Sequence, residues 1–340
     1  MTLVPQIMVG SSRAMQQLAS QIRTIAPSPV PVLIEGPTGA GKELVAHLLH
    51  SQSGRAGRFV PLNVCAITDS MFEDALFGHV RGAFTGAVGS TTGYALEAHR
   101  GTLLLDEIST LALALQVKLL RLIETKMFRP LGGKIDVTSD FRLVAASNES
   151  LWERAGAGHF REDLLHRIAG IVLRVPALRE RAEDIPLIAK TLLATFSQQL
   201  DRAVTLTDAA VRVLQSYDWP GNVRELRAVL ESAATMAGQG IVCEAQIHAQ
   251  LHERLLRLAG RADAIRAHGA LTDLLNEHEG DVMAVAKALG VNRATVYRRL
   301  RELGIPTPRQ RRTRNASVRE APPAARIRTT DHAPVDRMWA

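Results

Sequence analysis

The stretch GPTGAGKE, residues 36–43, places three glycines ahead of a lysine and directly follows the apolar run VPVLIEG, 30–36. The spacing G-x-x-x-x-G-K between a strand and a helix makes a phosphate cradle. Glycines let the backbone of Gly36, Pro37, Thr38, Gly39, Ala40 and Gly41 wrap an anion, and the positive end of the following helix adds to the attraction. Lys42 is placed to reach β and γ phosphates. The general pattern wants Ser or Thr next, to hold magnesium, but Glu43 stands there. A second stretch, GTLLLDEI (101–108), ends an apolar run on two carboxylates. Asp106 is suited to hold Mg2+, directly or through water, and Glu107 to polarise an attacking water as general base. A lone DE pair means little; behind a phosphate loop it completes a hydrolytic site. Asn148, just past the run FRLVAAS (141–147), can touch a γ phosphate or the water. FREDLLHRI (160–168) supplies Arg161 and Arg167, whose guanidinium groups suit the charge spread over transferring phosphoryl oxygens.

These groups need a scaffold that brings strand ends together. The runs 30–36, 101–107, 141–147 and 171–175 are short and continuous enough for buried strands, and 42–50 and 112–124 carry helical spacing. The alternation predicts an α/β layer with a mainly parallel sheet over residues 7–175. From 176 to 249 strand signals vanish and helices remain, predicting a smaller helical lid. Residues 250–268 are charged and helix-prone, and are read as a linker. The end, 309–340, is rich in Arg and Pro without periodicity, which predicts disorder.

Residues 269–308 read as an all-α helix-turn-helix unit. Asp281 can cap a helix to Leu289, Gly290 makes the turn, and Asn292 caps a second helix running from Arg293 to Leu303, stopped by Gly304. Val285, Ala286, Leu289, Val296 and Leu300 form the core face. Asn292, Arg293, Thr295, Arg298 and Arg299 fall where they could meet a major groove and its phosphates. Arg309, Arg311, Arg312 and Arg314 could add non-specific phosphate contacts.

The chain has 340 residues, 46% hydrophobic and 22% charged, the balance of a globular protein. Aromatics at 4% require mostly aliphatic cores. Net charge is +7, which permits nucleic-acid binding without establishing it. No run approaches a membrane span and the start lacks a secretory pattern, so a cytoplasmic setting is expected. Cys65 and Cys243 lack metal-like spacing and are expected to be two buried thiols. One stretch resists this reading. GHVRGAFTGAVGS (78–90) sets Phe84 between glycines in a polar loop, where its ring either folds into its own core or meets a partner.

Together these residues resemble the AAA+ P-loop NTPase domain of bacterial enhancer-binding proteins, the activators of RNA polymerase carrying sigma-54. The resemblance covers 7–308. Gly82, Ala83, Phe84, Thr85, Gly86 and Ala87 match the family's GAFTGA loop, implying contact of Phe84 and Thr85 with the sigma factor. GPTGAGKE resembles the family's own phosphate loop, in which Glu after Lys is usual. FVPLNVCAI (59–67) puts Asn63 where the family has an asparagine that pairs with the catalytic glutamate. FREDLLHRI resembles its arginine-finger segment. VPALRERAEDI (175–185) and WPGNVREL (219–226) resemble the start of the lid and its nucleotide sensor, which assigns Arg224 to the nucleotide. The last unit resembles the Fis-type DNA-binding domain.

The resemblance implies an ATP- and Mg2+-dependent ATPase. It implies binding to double-stranded enhancer DNA and remodelling of the closed sigma-54 RNA polymerase complex. It implies a homo-oligomer, a hexamer when active and a dimer when inactive. No receiver or ligand-sensing domain is read ahead of residue 7, so expression level or a separate regulatory protein is expected to set activity. Departures are Leu165 for an aromatic, Ala95 for Phe, Arg100 for Gly and Arg81 for Lys; Ala95 and Arg100 bear on loop coupling. Another reading is a DNA-binding regulator that uses ATP only as an assembly signal. A third, a replication-initiator-like ATPase, leaves GAFTGA unexplained.

Overall fold

The computed structural model describes residues 9–238, 240–278, 281–288, 293–302 and 305; the side chains of 255–270, 294, 295, 299 and 302 lie outside that description. The chain divides into two compact units, Met1–Leu251 and His252–Ala340.

Five strands make the sheet of the first unit: β1 (Val32–Glu35), β2 (Phe59–Asn63), β3 (Thr102–Asp106), β4 (Arg142–Ser147) and β5 (Ile171–Arg174). Their order is β2-β3-β4-β1-β5 and every pairing is parallel. Parallel strands need crossovers, and these cover both faces. Alternate side chains therefore serve two cores. Leu33, Leu103, Leu105, Leu143 and Ala145 pack in one hydrophobic layer with α3 (Asp69–Phe77), α4 (Leu113–Thr125) and α6 (Glu162–Ile168). Val32, Ile34, Leu104, Val144 and Ala146 pack in another with α1 (Arg13–Ile25) and α2 (Lys42–Ser51). A short α5 (Leu151–Gly156) follows β4.

The four expected strands form. β2 was not read from periodicity because Pro61 interrupts it. Pro61 sits on an edge strand, opposite Leu104, where one side of the backbone has no strand to bond. The cores are largely aliphatic, with Phe72, Phe128, Phe141 and Phe160 as buried exceptions beside the sheet. The cysteine expectation fails. Both thiols are free, but Cys65 is exposed and Cys243 half-buried. Cys65 lies in the turn Val64–Ala66 beyond the end of β2, outside the sandwiched layers.

The rest of the first unit is a helical layer: α7 (Ile185–Gln199), α8 (Asp208–Ser216) and α9 (Asn222–Met236) around a core that includes Leu193, Phe196, Leu214, Trp219 and Leu230. Trp219 donates its indole N–H to Leu214 O at 2.7 Å, which satisfies the one polar atom of a buried ring. Sequence alone predicted no strands here. The structure adds one small parallel pair, Thr205–Leu206 with Ile241–Val242, too short to give a periodic signal.

Helix α10 (Glu244–Glu277) takes in the segment read as a linker. The second unit continues with α11 (Val282–Ala288) and α12 (Arg293–Glu302). Leu271, Leu275, Val282, Val285, Ala286, Val296, Leu300 and Ile305 form its core. Asp281 caps α11, its carboxylate accepting from Met283 N–H at 2.8 Å. Leu289, Gly290, Asn292, Leu303, Gly304 and the tail 309–340 lie outside the described residues.

Candidate nucleotide site and exposed loop

The carboxyl ends of β1, β3 and β4 deliver the predicted groups to one edge of the sheet, the usual ligand edge of an open α/β layer. β1 runs into Gly36, whose N–H bonds Ser147 O at 3.3 Å, and the loop climbs to Gly41 (φ 108°) at the cap of α2. Lys42 is buried. Its Nζ donates to Gly36 O at 2.9 Å and lies 3.9 Å from Glu107 Oε1. Burial pushes the Lys42 ammonium down from its ordinary pKa, against the pull of Glu107 and Asp106. The same burial pushes Glu107 up, against Lys42.

Glu107 is the most constrained residue of the site. Its backbone is left-handed (φ 56°), uncommon for a side chain of its size, and its Oε2 is buried without a hydrogen-bond partner. Its N–H is held by Asp106 Oδ1 at 3.0 Å. A general base with a raised pKa loses its working form at higher pH than an ordinary glutamate. Any turnover that uses Glu107 as its base is therefore expected to have its acid limb above the normal carboxylate range; a rate that stays flat down into that range contradicts this.

Asn63 lies in register beside Asp106 across the β2–β3 pair. It is exposed, and in this structure Glu107 meets Lys42 rather than Asn63. Asn148 Nδ2 donates to Thr38 Oγ1 at 3.2 Å, so the end of β4 touches the phosphate loop. Arg224 is exposed and its charge is felt at both Lys42 and Glu107. Arg161 stands at the N-cap of α6 and Arg167 in its last turn, both on the surface. Arg161 is forked onto Asp163 at 2.7 and 3.0 Å, and its N–H is fixed by Gln116 Oε1 at 2.8 Å. Within one chain neither arginine meets the Lys42–Glu107 pair. A cleft of about 600 Å³ opens beside the loop, lined among others by Asn148, Arg174, Arg179 and Asn222.

The structure adds residues that sequence reasoning passed over. Arg181, only 3% exposed, and Asn222, buried with φ 52°, both reach the phosphate loop from the lid. Asp184 ties down the chain ahead of α1, accepting from Ser11 N–H at 2.6 Å and Ser12 N–H at 2.8 Å. All three lie in stretches already singled out, but charged and amide side chains give no periodic sign of burial.

The GAFTGA loop closes on itself. Gly82 N–H bonds Ala87 O at 2.9 Å and Ala87 N–H bonds Phe84 O at 3.0 Å. Gly82 (φ 80°) and Gly86 (φ 103°) take left-handed backbone that a β-carbon would strain. Phe84 is 47% exposed, and one edge rests on His79 with ring centroids 5.0 Å apart. His79 is itself bonded to Asp74 at 2.6 Å. A neighbouring hairpin turn supports the loop: Val80 N–H bonds Leu131 O at 3.1 Å, and Gly132 lies against Ala83 too closely for a β-carbon. At the arm's base Ala95 is fully buried, and Arg100 adopts φ 56°, a conformation that suits the glycine it replaces in the resemblance.

In the second unit Arg293 and Arg298 are exposed on α12, Arg293 lying 5.4 Å over the Tyr297 ring. Asn292 and the side chains of Thr295 and Arg299 lie outside the described residues.

A parallel sheet with a phosphate loop at its carboxyl edge and a helical lid defines an AAA+ nucleotide-binding protein. Residues 8–174 match the Sigma-54 interaction domain, 179–261 the AAA+ ATPase lid domain, and 268–303 the bacterial regulatory protein Fis family. Over 298 residues the chain is 40% identical to transcriptional regulatory protein ZraR of Salmonella typhimurium, covering 86% of this chain and 65% of that protein. It is 41% identical to the C4-dicarboxylate transport transcriptional regulatory protein DctD of Rhizobium meliloti, covering 88% and 64%, and 40% identical to response regulator protein PilR of Pseudomonas aeruginosa, covering 88% and 70%. The chain thus spans about two thirds of the length of these relatives. Crystal structures of NtrX from Brucella abortus are similar in fold: the ADP complex at TM-score 0.67 and 32% identity, the ATP complex at 0.66 and 34%, covering 88% and 87% of this chain and 69% of NtrX. The chain belongs to the sigma-54-dependent transcriptional regulators, with an AAA+ nucleotide-binding domain, a lid and a Fis-type helix-turn-helix domain. Among the described residues no helix is long and apolar enough to cross a membrane.

Proposed function

We propose that this protein hydrolyses ATP to open promoters held by sigma-54 RNA polymerase. The observation that carries the reading is Phe84, half exposed at the tip of a closed, glycine-hinged loop in the same domain as a buried Lys42–Glu107 pair. Lys42 and the free amides of the loop hold the phosphates. Glu107 takes the proton of the attacking water. Asn63 and Asn148 position that water and the γ phosphate, and Arg224 reaches the nucleotide from the lid. Magnesium suits Asp106, whose charge is felt at Lys42 beside the phosphate loop, because Mg2+ commonly takes one or two carboxylates and completes its shell with phosphates and water. When bound, it would neutralise phosphate charge. The second unit binds double-stranded enhancer DNA through Arg293, Arg298 and their neighbours on α12. The setting is the cytoplasm.

Neither Arg161 nor Arg167 meets the Lys42–Glu107 pair of its own chain, which supports a shared site in a homo-oligomeric ring, a hexamer on the family resemblance, in which they serve the adjacent subunit's γ phosphate. A finger supplied in this way contributes roughly 10³–10⁵ in rate. Mixing tests it. Arg167→Ala and Glu107→Gln proteins, each inactive alone, regain measurable ATP turnover when combined, and wild-type turnover per chain rises with protein concentration. Turnover independent of concentration, with no recovery on mixing, contradicts the shared site.

A further inference from the structure

Three successive carbonyls of the phosphate loop are held by the lid. Asn222 Nδ2 donates to Thr38 O at 3.0 Å, Arg224 N–H to Gly39 O at 3.3 Å, and Arg181 Nη2 to Ala40 O at 2.9 Å. A trans peptide points its C=O and the next N–H in opposite directions. Fixing Thr38 O therefore turns the Gly39 N–H away from Asn222, and fixing Ala40 O turns the Gly41 N–H away from Arg181. Neither of these two amides is spent on a backbone partner, whereas the Ala40 N–H between them bonds Pro37 O at 3.2 Å. The loop is left with outward amides at Gly39 and Gly41, running into the first turn of α2, the arrangement that receives an anion.

The clamp is built, not incidental. Arg181 is a buried cation that spends Nη2 on Ala40 O and Nη1 on Met15 Sδ at 2.9 Å, and its Nε has no partner. It sits at a break in the turn Leu178–Asp184, with φ −138° and ψ 44°, where the chain passes from the sheet into the lid. Asn222 uses its other end as well: Oδ1 accepts from Leu178 N–H at 2.7 Å, tying α9 to the same turn. The fit at Gly39 leaves no slack, since a β-carbon there would lie 2.4 Å from Gly221 O.

We propose that Asn222 and Arg181 are positioning residues through which the lid holds the phosphate loop in its nucleotide-receiving shape. Lid displacement releases all three carbonyls at once, lets the loop amides turn, and loosens the grip on a nucleoside triphosphate. This rests on the ATP-binding reading above and extends it from the lid's own arginine, Arg224, to the backbone of the loop.

Two variants separate the clamp from general folding. Asn222→Asp keeps the acceptor for Leu178 N–H, tolerates the left-handed backbone, and replaces the donor to Thr38 O with a carboxylate oxygen. Arg181→Met keeps an unbranched buried chain and removes the donor to Ala40 O. Three quantities are read in each full-length protein: Kd for ATP, Kd for adenosine, and amide hydrogen exchange over residues 37–42 without nucleotide. Both variants should raise Kd for ATP at least about tenfold, leave adenosine binding within about twofold, and speed exchange in the loop. Arg181→Lys should recover part of the ATP affinity. ATP binding and loop exchange both equal to wild type overturn the clamp. So does weakened ATP binding with unchanged loop exchange, which assigns the loss to charge alone, and so does an equal loss for ATP and adenosine, which assigns it to a damaged lid. A wild-type protein that binds no ATP overturns the functional reading instead, while the exchange measurement still decides the clamp.

Discussion

Glu107→Gln should leave ATP binding intact and lower its turnover by about two to four orders of magnitude, the contribution of a positioned general base. The substitution keeps the shape of the side chain and removes its charge, and with it the ability to take a proton. Glu107 is the residue on which the site spends most: a left-handed backbone, a desolvated carboxylate, and one oxygen without a hydrogen-bond partner. Such a costly arrangement suits a group whose remaining partner is the reacting water. Lys42 stands 3.9 Å from the same carboxylate, so the charge lost on Glu107 frees the ammonium for phosphate and binding does not weaken. Phosphate release and equilibrium binding of ATP measure the two effects separately. Turnover within about twofold of wild type removes Glu107 from the chemistry.

Phe84→Ala should do the reverse, keeping ATP turnover and DNA binding while abolishing open-complex formation. The ring is half exposed, and among the described residues its one aromatic neighbour is His79, so about half of its surface is left for a partner. Its loss should shift the unfolding midpoint only slightly. Against a partner the same ring could bury the remaining half of its surface, worth about 0.7–1.5 kcal/mol per copy. That is roughly three- to tenfold in affinity per contact, compounded when several loops engage together. Normal promoter opening by the variant would falsify the assignment of the loop.

The scaffold and the position of the phosphate loop were legible because both follow local rules. Continuous apolar runs mark strands covered on two faces, and the glycine–lysine spacing marks where a strand must turn into a helix. β2 escaped because Pro61, acceptable at a sheet edge, breaks the pattern. The exposure of Cys65 escaped because composition says nothing about a turn past a strand end. Asn222 and Arg181 escaped for a different reason. Their partners lie far away in sequence, at Thr38 and Ala40, and the bonds run from side chain to main chain, which no residue spacing encodes. The support of Phe84 by His79 is partly local, yet only the fold shows that the imidazole, anchored on Asp74, meets the ring edge-on.

We propose that ATP hydrolysis is coupled through the Phe84 loop to the opening of a sigma-54 promoter. Open-complex formation by purified sigma-54 RNA polymerase, with this protein and upstream DNA, tests it most directly when ATP is set against a non-hydrolysable analogue. Promoter opening is predicted with ATP only, and only when sigma-54 is present. Equal opening with the analogue, or with polymerase lacking sigma-54, contradicts it.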